Sequence, residues 1–140
     1  MSAVEDIQNS KSVLIVDDEP GQLDSLTQLM SVSGYEVGTA TTGNEAIAAL
    51  SRNTYDTVLL DLNMPRMNGI EFLEEIREDP RLRKLVVFVL TTSKADEDKV
   101  AAYEKNVAGY IVKSDVGNDF MRVVTMLDHY WRVVELPPDN

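Results

Sequence analysis

Two adjacent acids at Asp17-Asp18, a third acid at Asp61, a hydroxyl at Thr91 and an amine at Lys113 are residues whose types could do chemistry together. Each follows a short apolar run. Val13-Leu14-Ile15-Val16 precedes the acid pair, Val58-Leu59-Leu60 precedes Asp61, Leu85 to Leu90 precedes Thr91, and Tyr110-Ile111-Val112 precedes Lys113. A carboxylate that ends a buried run is costly unless it is paired or metal-bound. Three converging carboxylates repel one another unless a cation joins them. An all-oxygen donor set without His or Cys selects Mg2+ or a similar hard ion over zinc. Mg2+ keeps open positions for water and phosphate oxygens. A carboxylate beside it can attack a phosphoryl group and give an aspartyl phosphate. Lys113 would pair with Asp61 at rest and with a phosphoryl oxygen afterwards, and the Thr91 hydroxyl would donate to another oxygen.

The elements that must position these groups are legible in the periodicity. Apolar runs at Val13–Val16, Thr57–Leu60, Leu85–Leu90 and Tyr110–Val112 read as buried strands, and the alternating Tyr35–Ala40 reads as another. Between them lie helical patterns. The first opens at Pro20, carries Leu23, Leu26, Leu29 and Met30, and stops at Ser33-Gly34. The second carries Ala46, Ile47, Ala49 and Leu50, the third Ile70, Phe72, Leu73 and Ile76, and the fourth Val100, Ala101 and Tyr103. The last carries Phe120, Val123, Val124, Leu127 and Trp131. Five strand–helix alternations predict an α/β fold, doubly wound, with a five-stranded parallel sheet and helices on both faces. In such a sheet the functional site lies beyond the carboxyl ends of the strands. Four of the five strands place a polar group there. Singly each has an ordinary reading: an acidic helix start, a strand-end cap, a strand threonine, a solvated lysine. Their joint placement at one edge favours a site.

Composition narrows the partners. The 140 residues fit one domain, and the 26% charged residues fit an ordinary globular protein. A net charge of −11 disfavours nucleic-acid phosphates and anionic membranes and leaves room for a divalent cation. There is no cysteine, so disulfides and thiolate metal sites are excluded. No apolar run reaches the roughly 20 residues of a membrane span, and the N-terminus lacks a signal pattern. A cytoplasmic protein is the expectation, with no nucleic acid and no membrane as partner. Residues 1–10 read as an arm, 11–131 as the domain and 132–140 as a tail.

The set Asp17-Asp18, Asp61, Thr91 and Lys113, with Tyr110 three residues before the lysine, resembles the receiver domain of two-component response regulators. Thr91 and Lys113 follow Asp61 by 30 and 52 residues, intervals that agree with that family. The block Leu60-Asp61-Leu62-Asn63-Met64-Pro65-Arg66-Met67-Asn68-Gly69 is similar to its phosphoacceptor loop. The resemblance implies a flavodoxin-like receiver fold with Asp61 as phosphoacceptor. It implies Mg2+ held directly by Asp18 and Asp61, through water by Asp17, and by the backbone carbonyl of Asn63. It implies Thr91 and Tyr110 as the switch pair, Tyr110 turning from exposed to buried on phosphorylation, and Lys113 as the lysine that contacts phosphate. The phosphodonor it implies is a sensor histidine kinase or a histidine phosphotransfer protein. With no output domain expected, the chain reads as a stand-alone, chemotaxis-regulator-like receiver, a signalling domain that is not an enzyme beyond self-phosphorylation and autodephosphorylation.

Two positions depart from the family pattern. Receivers usually carry proline after the lysine, often with a cis peptide, and here Ser114 follows Lys113. They tend to carry a small residue after the switch threonine, and here Thr92 is bulkier and would narrow access to Asp61. Lys113-Ser114 and the stretch Tyr130–Pro137 are similar to single-domain regulators that serve bacterial phytochrome kinases. This implies a homodimer with Trp131 and the tail near the interface. The competing reading is a helix extension packed on its own domain. His129 reads as a surface histidine. Two rival functions remain. A haloacid-dehalogenase-type phosphatase also uses an aspartyl phosphate, but needs an acid two residues after the nucleophile, where Asn63 stands. A metal-free pseudo-receiver scaffold would not need Asp17, Asp18, Asp61 and Lys113 intact.

Overall fold

The computed structural model describes residues 11–64, 68–116 and 119–134. The expected N-terminal arm, the Pro65–Met67 part of the phosphoacceptor loop and the tail from 135 lie outside the described residues. Five strands alternate with helices: β1 (Ser12–Val16), α1 (Pro20–Val32), β2 (Glu36–Ala40), α2 (Gly43–Arg52), β3 (Thr57–Leu60), α3 (Gly69–Glu78), β4 (Val86–Thr91), α4 (Asp96–Glu104), β5 (Gly109–Val112) and α5 (Met121–Val133). One helical turn, Lys113–Val116, lies between β5 and α5. The strands form one parallel sheet in the order β2-β1-β3-β4-β5.

Alternation within the strands builds two cores. Val13 and Ile15 point to one face with Leu23, Leu26 and Met30 of α1 and Val123, Val124 and Leu127 of α5. Leu14 and Val16 point to the other, with Ala46, Ala49 and Leu50 of α2, Phe72, Leu73 and Ile76 of α3, and Ala102 of α4. All four residues of β3 are buried, because helices cover it on both sides. Burial of a side chain such as Leu60 stabilises by about 1.5–3 kcal/mol.

The sequence boundaries shift in places: β4 begins at Val86, one residue after Leu85, and β5 at Gly109, one before Tyr110. Tyr35 precedes β2 as a buried core residue. Its ring is needed inside, and its hydroxyl reaches Asp128 Oδ1 at 2.7 Å. Phe120 sits at the cap of α5 and not within the helix. Arg132 and Val133, assigned to the tail from sequence, are the last two residues of α5.

The chain order reverses at β1, so the ends of β1 and β3 flank a crevice. Backbone bonds set those ends side by side: Asp17 N–H donates to Ala40 O at 3.0 Å and Asp61 N–H to Val16 O at 2.9 Å. Past β3, α3 starts with a capping box in which Asn68 and Glu71 each accept from the other's backbone N–H at 3.0 Å. A Cβ on Gly69 would lie 2.6 Å from Leu62 Cα and 2.9 Å from Asp61 O. The absence of a side chain there lets α3 begin directly against the strand end that carries Asp61.

Candidate functional site

Four of the five strand ends deliver a residue to the edge, as the sequence spacing predicts. Asp17 and Asp61 leave β1 and β3, Thr91 ends β4, and Lys113 follows β5. Asp17, Asp61, Thr91 and Lys113 are all buried, whereas Asp18 is exposed at the mouth. Carboxylate oxygens of Asp17, Asp18 and Asp61 lie within 4.8 Å of one another. Three acids at that separation with no His or Cys fit a hard divalent cation. Burial pushes the Asp17 carboxyl above the usual aspartate value, against the opposing effects of Lys113 and of the Glu19 N–H, which donates to Asp17 Oδ1 at 2.9 Å. A buried carboxylate beside two other acids is a position that a further cation would stabilise.

The two oxygens of Asp61 face different neighbours. Oδ1 accepts from Thr91 Oγ1 at 2.8 Å and from the Asn63 backbone N–H at 3.1 Å. Oδ2 faces Lys113 Nζ at 3.5 Å. The ammonium lies closer to Asp17 Oδ2, at 2.6 Å. The sequence reading pairs Lys113 with Asp61 at rest; the structure makes Asp17 the tighter partner. Strand order alone would favour Asp61, because β3 lies nearer to β5 than β1 does; the Lys113 side chain reaches past the end of β3 to the acid that follows β1.

Asn63 Nδ2 donates to Thr92 Oγ1 at 3.3 Å and to Thr91 Oγ1 at 3.4 Å. The sequence reading used only its backbone carbonyl. Its amide side chain ties the loop after β3 to the end of β4, and Thr92 stands on the exposed rim beside it. The amide also offers no titratable proton two residues after Asp61, which leaves a phosphatase without its acid.

Tyr110 is half-buried and donates from its hydroxyl to Ser93 O at 3.0 Å. Burial raises its pKa, with the Asp98 and Asp61 charges adding to the effect. The ring is thus already held against the β4–α4 loop, whereas the resemblance implies an exposed ring before phosphorylation. Ser93 also donates from Oγ to Asp98 Oδ2 at 2.5 Å and from its N–H to Thr91 Oγ1 at 3.4 Å. Ser93 was not singled out from sequence. Its position two residues past Thr91 was the available signal, but a serine in a loop has no distinguishing pattern. Among the described residues no peptide bond is cis, Lys113–Ser114 included. His129 is exposed on α5, away from this cluster.

Comparison with known proteins agrees with this geometry. The family described as the response regulator receiver domain matches residues 13–125. The nitrate/nitrite response regulator protein NarL of Escherichia coli (strain K12) is 34% identical over 119 residues, which cover 84% of this chain and 54% of NarL. The chain spans about half the length of the curated relatives it matches. The crystal structure of the phosphorylated cyanobacterial phytochrome response regulator RcpA superposes with a TM-score of 0.82 at 30% identity, covering 92% of this chain and 99% of that one. The Mn(2+)-bound form of response regulator Rcp1 gives 0.79 at 31% identity, with 91% and 99% covered. No helix among the described residues is long and apolar enough to cross a membrane. A five-stranded parallel sheet with an acidic cluster, a hydroxyl and a lysine at one edge, matched along nearly its whole length, places this chain in the receiver-domain family of two-component response regulators.

Proposed function

We propose that Asp61 accepts a phosphoryl group from the phosphohistidine of a sensor histidine kinase or a histidine phosphotransfer protein, and that the acceptor works with Mg2+. Residues 11–131 form the receiver unit, and the signalling takes place in the cytoplasm. The observation that carries this reading is the division of labour at Asp61. Thr91 and the Asn63 N–H hold one carboxylate oxygen, while the other lies among Lys113, Asp17 and Asp18.

Asp17, Asp18, Asp61 and the Asn63 backbone carbonyl would hold the cation. Bound there, Mg2+ supplies positive charge to the oxygens of the transferred group. Asp61 attacks phosphorus through one carboxylate oxygen. The O–P bond forms, the donor's N–P bond breaks, and the leaving imidazole takes a proton. Lys113 can then turn from Asp17 toward a phosphoryl oxygen, and the Thr91 hydroxyl can donate to a second one. Thr91 is bonded to both Asn63 and Ser93, so its shift reaches Tyr110 and the face formed by α4, β5 and α5. The chain is a phosphoacceptor that passes its signal by protein contacts or phosphorelay. The likeness to RcpA, a phytochrome response regulator, supports a bacterial phytochrome as the kinase; a homodimer with Trp131 near its interface goes with this reading.

Incubation with acetyl phosphate and Mg2+, read by intact mass, tests the reading. We expect one phosphoryl adduct that disappears in Asp61→Asn and in EDTA. An adduct that survives Asp61→Asn would sink the assignment, and steady turnover of phosphate esters would favour a phosphatase.

A further inference from the structure

The Arg77 guanidinium donates four hydrogen bonds, all to backbone carbonyls. Nε reaches Lys105 O at 2.8 Å, Nη1 reaches Arg83 O at 2.9 Å and Leu85 O at 2.7 Å, and Nη2 reaches Asn106 O at 3.1 Å. Among the described residues no carboxylate pairs with it. Its partners come from two segments. Arg83 and Leu85 lie just before β4. Lys105 and Asn106 lie just past α4, where a helix presents unpaired carbonyls and the negative end of its dipole. A planar fork with donors on three nitrogens can span both segments, which a lysine cannot do. Asn106 turns the chain out of the helix at a φ of 61°. Beyond it Val107 is buried and Ala108 N–H donates to Val87 O at 2.7 Å.

The other end of α4 is held quite differently. Ala95 precedes the helix with no side-chain cap bond. The link to the sheet there runs through Ser93, which bonds Asp98, Tyr110 and Thr91 in turn. The buried side chain of α4 is Ala102, in its last turn, whereas Val100 is 59% exposed. One end is therefore fixed by a side chain that does not touch the acidic cluster. The other end is fixed by bonds that run back to Asp61 through Thr91.

We propose that Arg77 is the pivot of α4: phosphoryl transfer to Asp61 rearranges the N-terminal end of the helix with the loop 92–95, while Arg77 holds the C-terminal end in place in both states. This rests on Asp61 being the phosphoacceptor. A partner that tells the two states apart then reads the first turns of α4, where Asp96, Glu97 and Val100 are exposed. Tyr103, also exposed, lies at the fixed end and does not report the state.

Amide hydrogen exchange tests the pivot, with beryllofluoride plus Mg2+ as the phosphoryl analogue. In the wild-type chain we expect amides of 93–100 to change rate by about tenfold on loading and those of 103–107 to change little. In unloaded Arg77→Lys we expect exchange at 103–107 to rise by about tenfold, and loading to alter both ends. Equal changes at both ends of wild-type α4 would overturn the pivot, as would Arg77→Lys with wild-type exchange at 103–107. A wild-type chain that shows no change anywhere on loading, including at 61–64, refutes the Asp61 reading instead. The unloaded Arg77→Lys measurement still decides in that case whether Arg77 pins this end.

Discussion

Replacing Lys113 with methionine shows how the acidic cluster is held together. The Lys113 ammonium lies 2.6 Å from Asp17 Oδ2 and 3.5 Å from Asp61 Oδ2, and none of the three side chains is more than 7% exposed. Methionine keeps most of the stem and removes the charge. Asp17 and Asp61 then face each other with oxygens within 4.8 Å. At that distance two unit charges repel by about 3.5 kcal/mol at an effective dielectric constant of about 20. Removing one partner of a buried ion pair costs about 3–5 kcal/mol, the same range. We expect Lys113→Met to lose about 3–4 kcal/mol in EDTA. Unfolding entropy of about 2.1 cal/mol/K per residue over 140 residues converts this to a fall in Tm of about 10–14 °C. Mg2+ can supply the missing positive charge, so its addition should recover much of the loss. The wild-type chain should gain less, because Lys113 already neutralises part of the cluster. Calorimetry in EDTA and in rising Mg2+ for both chains measures this. A variant as stable as the wild type in EDTA, or one that gains less from Mg2+, would show that the pair does not hold the cluster as described.

Two further outcomes are expected. Gly69→Ala forces a Cβ against Leu62 Cα at 2.6 Å, so backbone must move. We expect a loss of about 1–3 kcal/mol with slower adduct formation at Asp61, and an unchanged Tm would contradict the close approach. Burial raises the pKa of Tyr35, and its hydrogen bond to Asp128 adds to the shift. A raised folded pKa contributes stability that is fully present below the unfolded value of about 10 and is lost as pH rises toward the folded value. Urea unfolding above that pH should show a steeper decline for the wild type than for Tyr35→Phe, and parallel declines would remove Tyr35 as the cause.

The sequence by itself determined the sheet, its carboxyl-edge residues and their family. Uninterrupted apolar runs such as Val58–Leu60, alternating with amphipathic helical patterns, fit strands buried on both faces of a parallel sheet, and the residue after each run then emerges at its carboxyl edge. Asp17, Asp61, Thr91 and Lys113 were therefore legible from position alone, and Thr91 reaches Asp61 as their types suggest. Tertiary structure decided which acceptor each donor chose. Lys113 prefers Asp17 to Asp61, a choice made by a difference of 0.9 Å between two oxygens on neighbouring strands. Asn63 spans Thr91 and Thr92, and Tyr110 finds the Ser93 carbonyl, through loops whose paths no periodicity encodes. Arg77 shows the limit most clearly. Its side chain reads as one more charge on an amphipathic helix, yet it binds carbonyls 6, 8, 28 and 29 residues away. Backbone carbonyls are alike in every sequence, so which of them converge on a guanidinium is settled only when the sheet and its helices have packed.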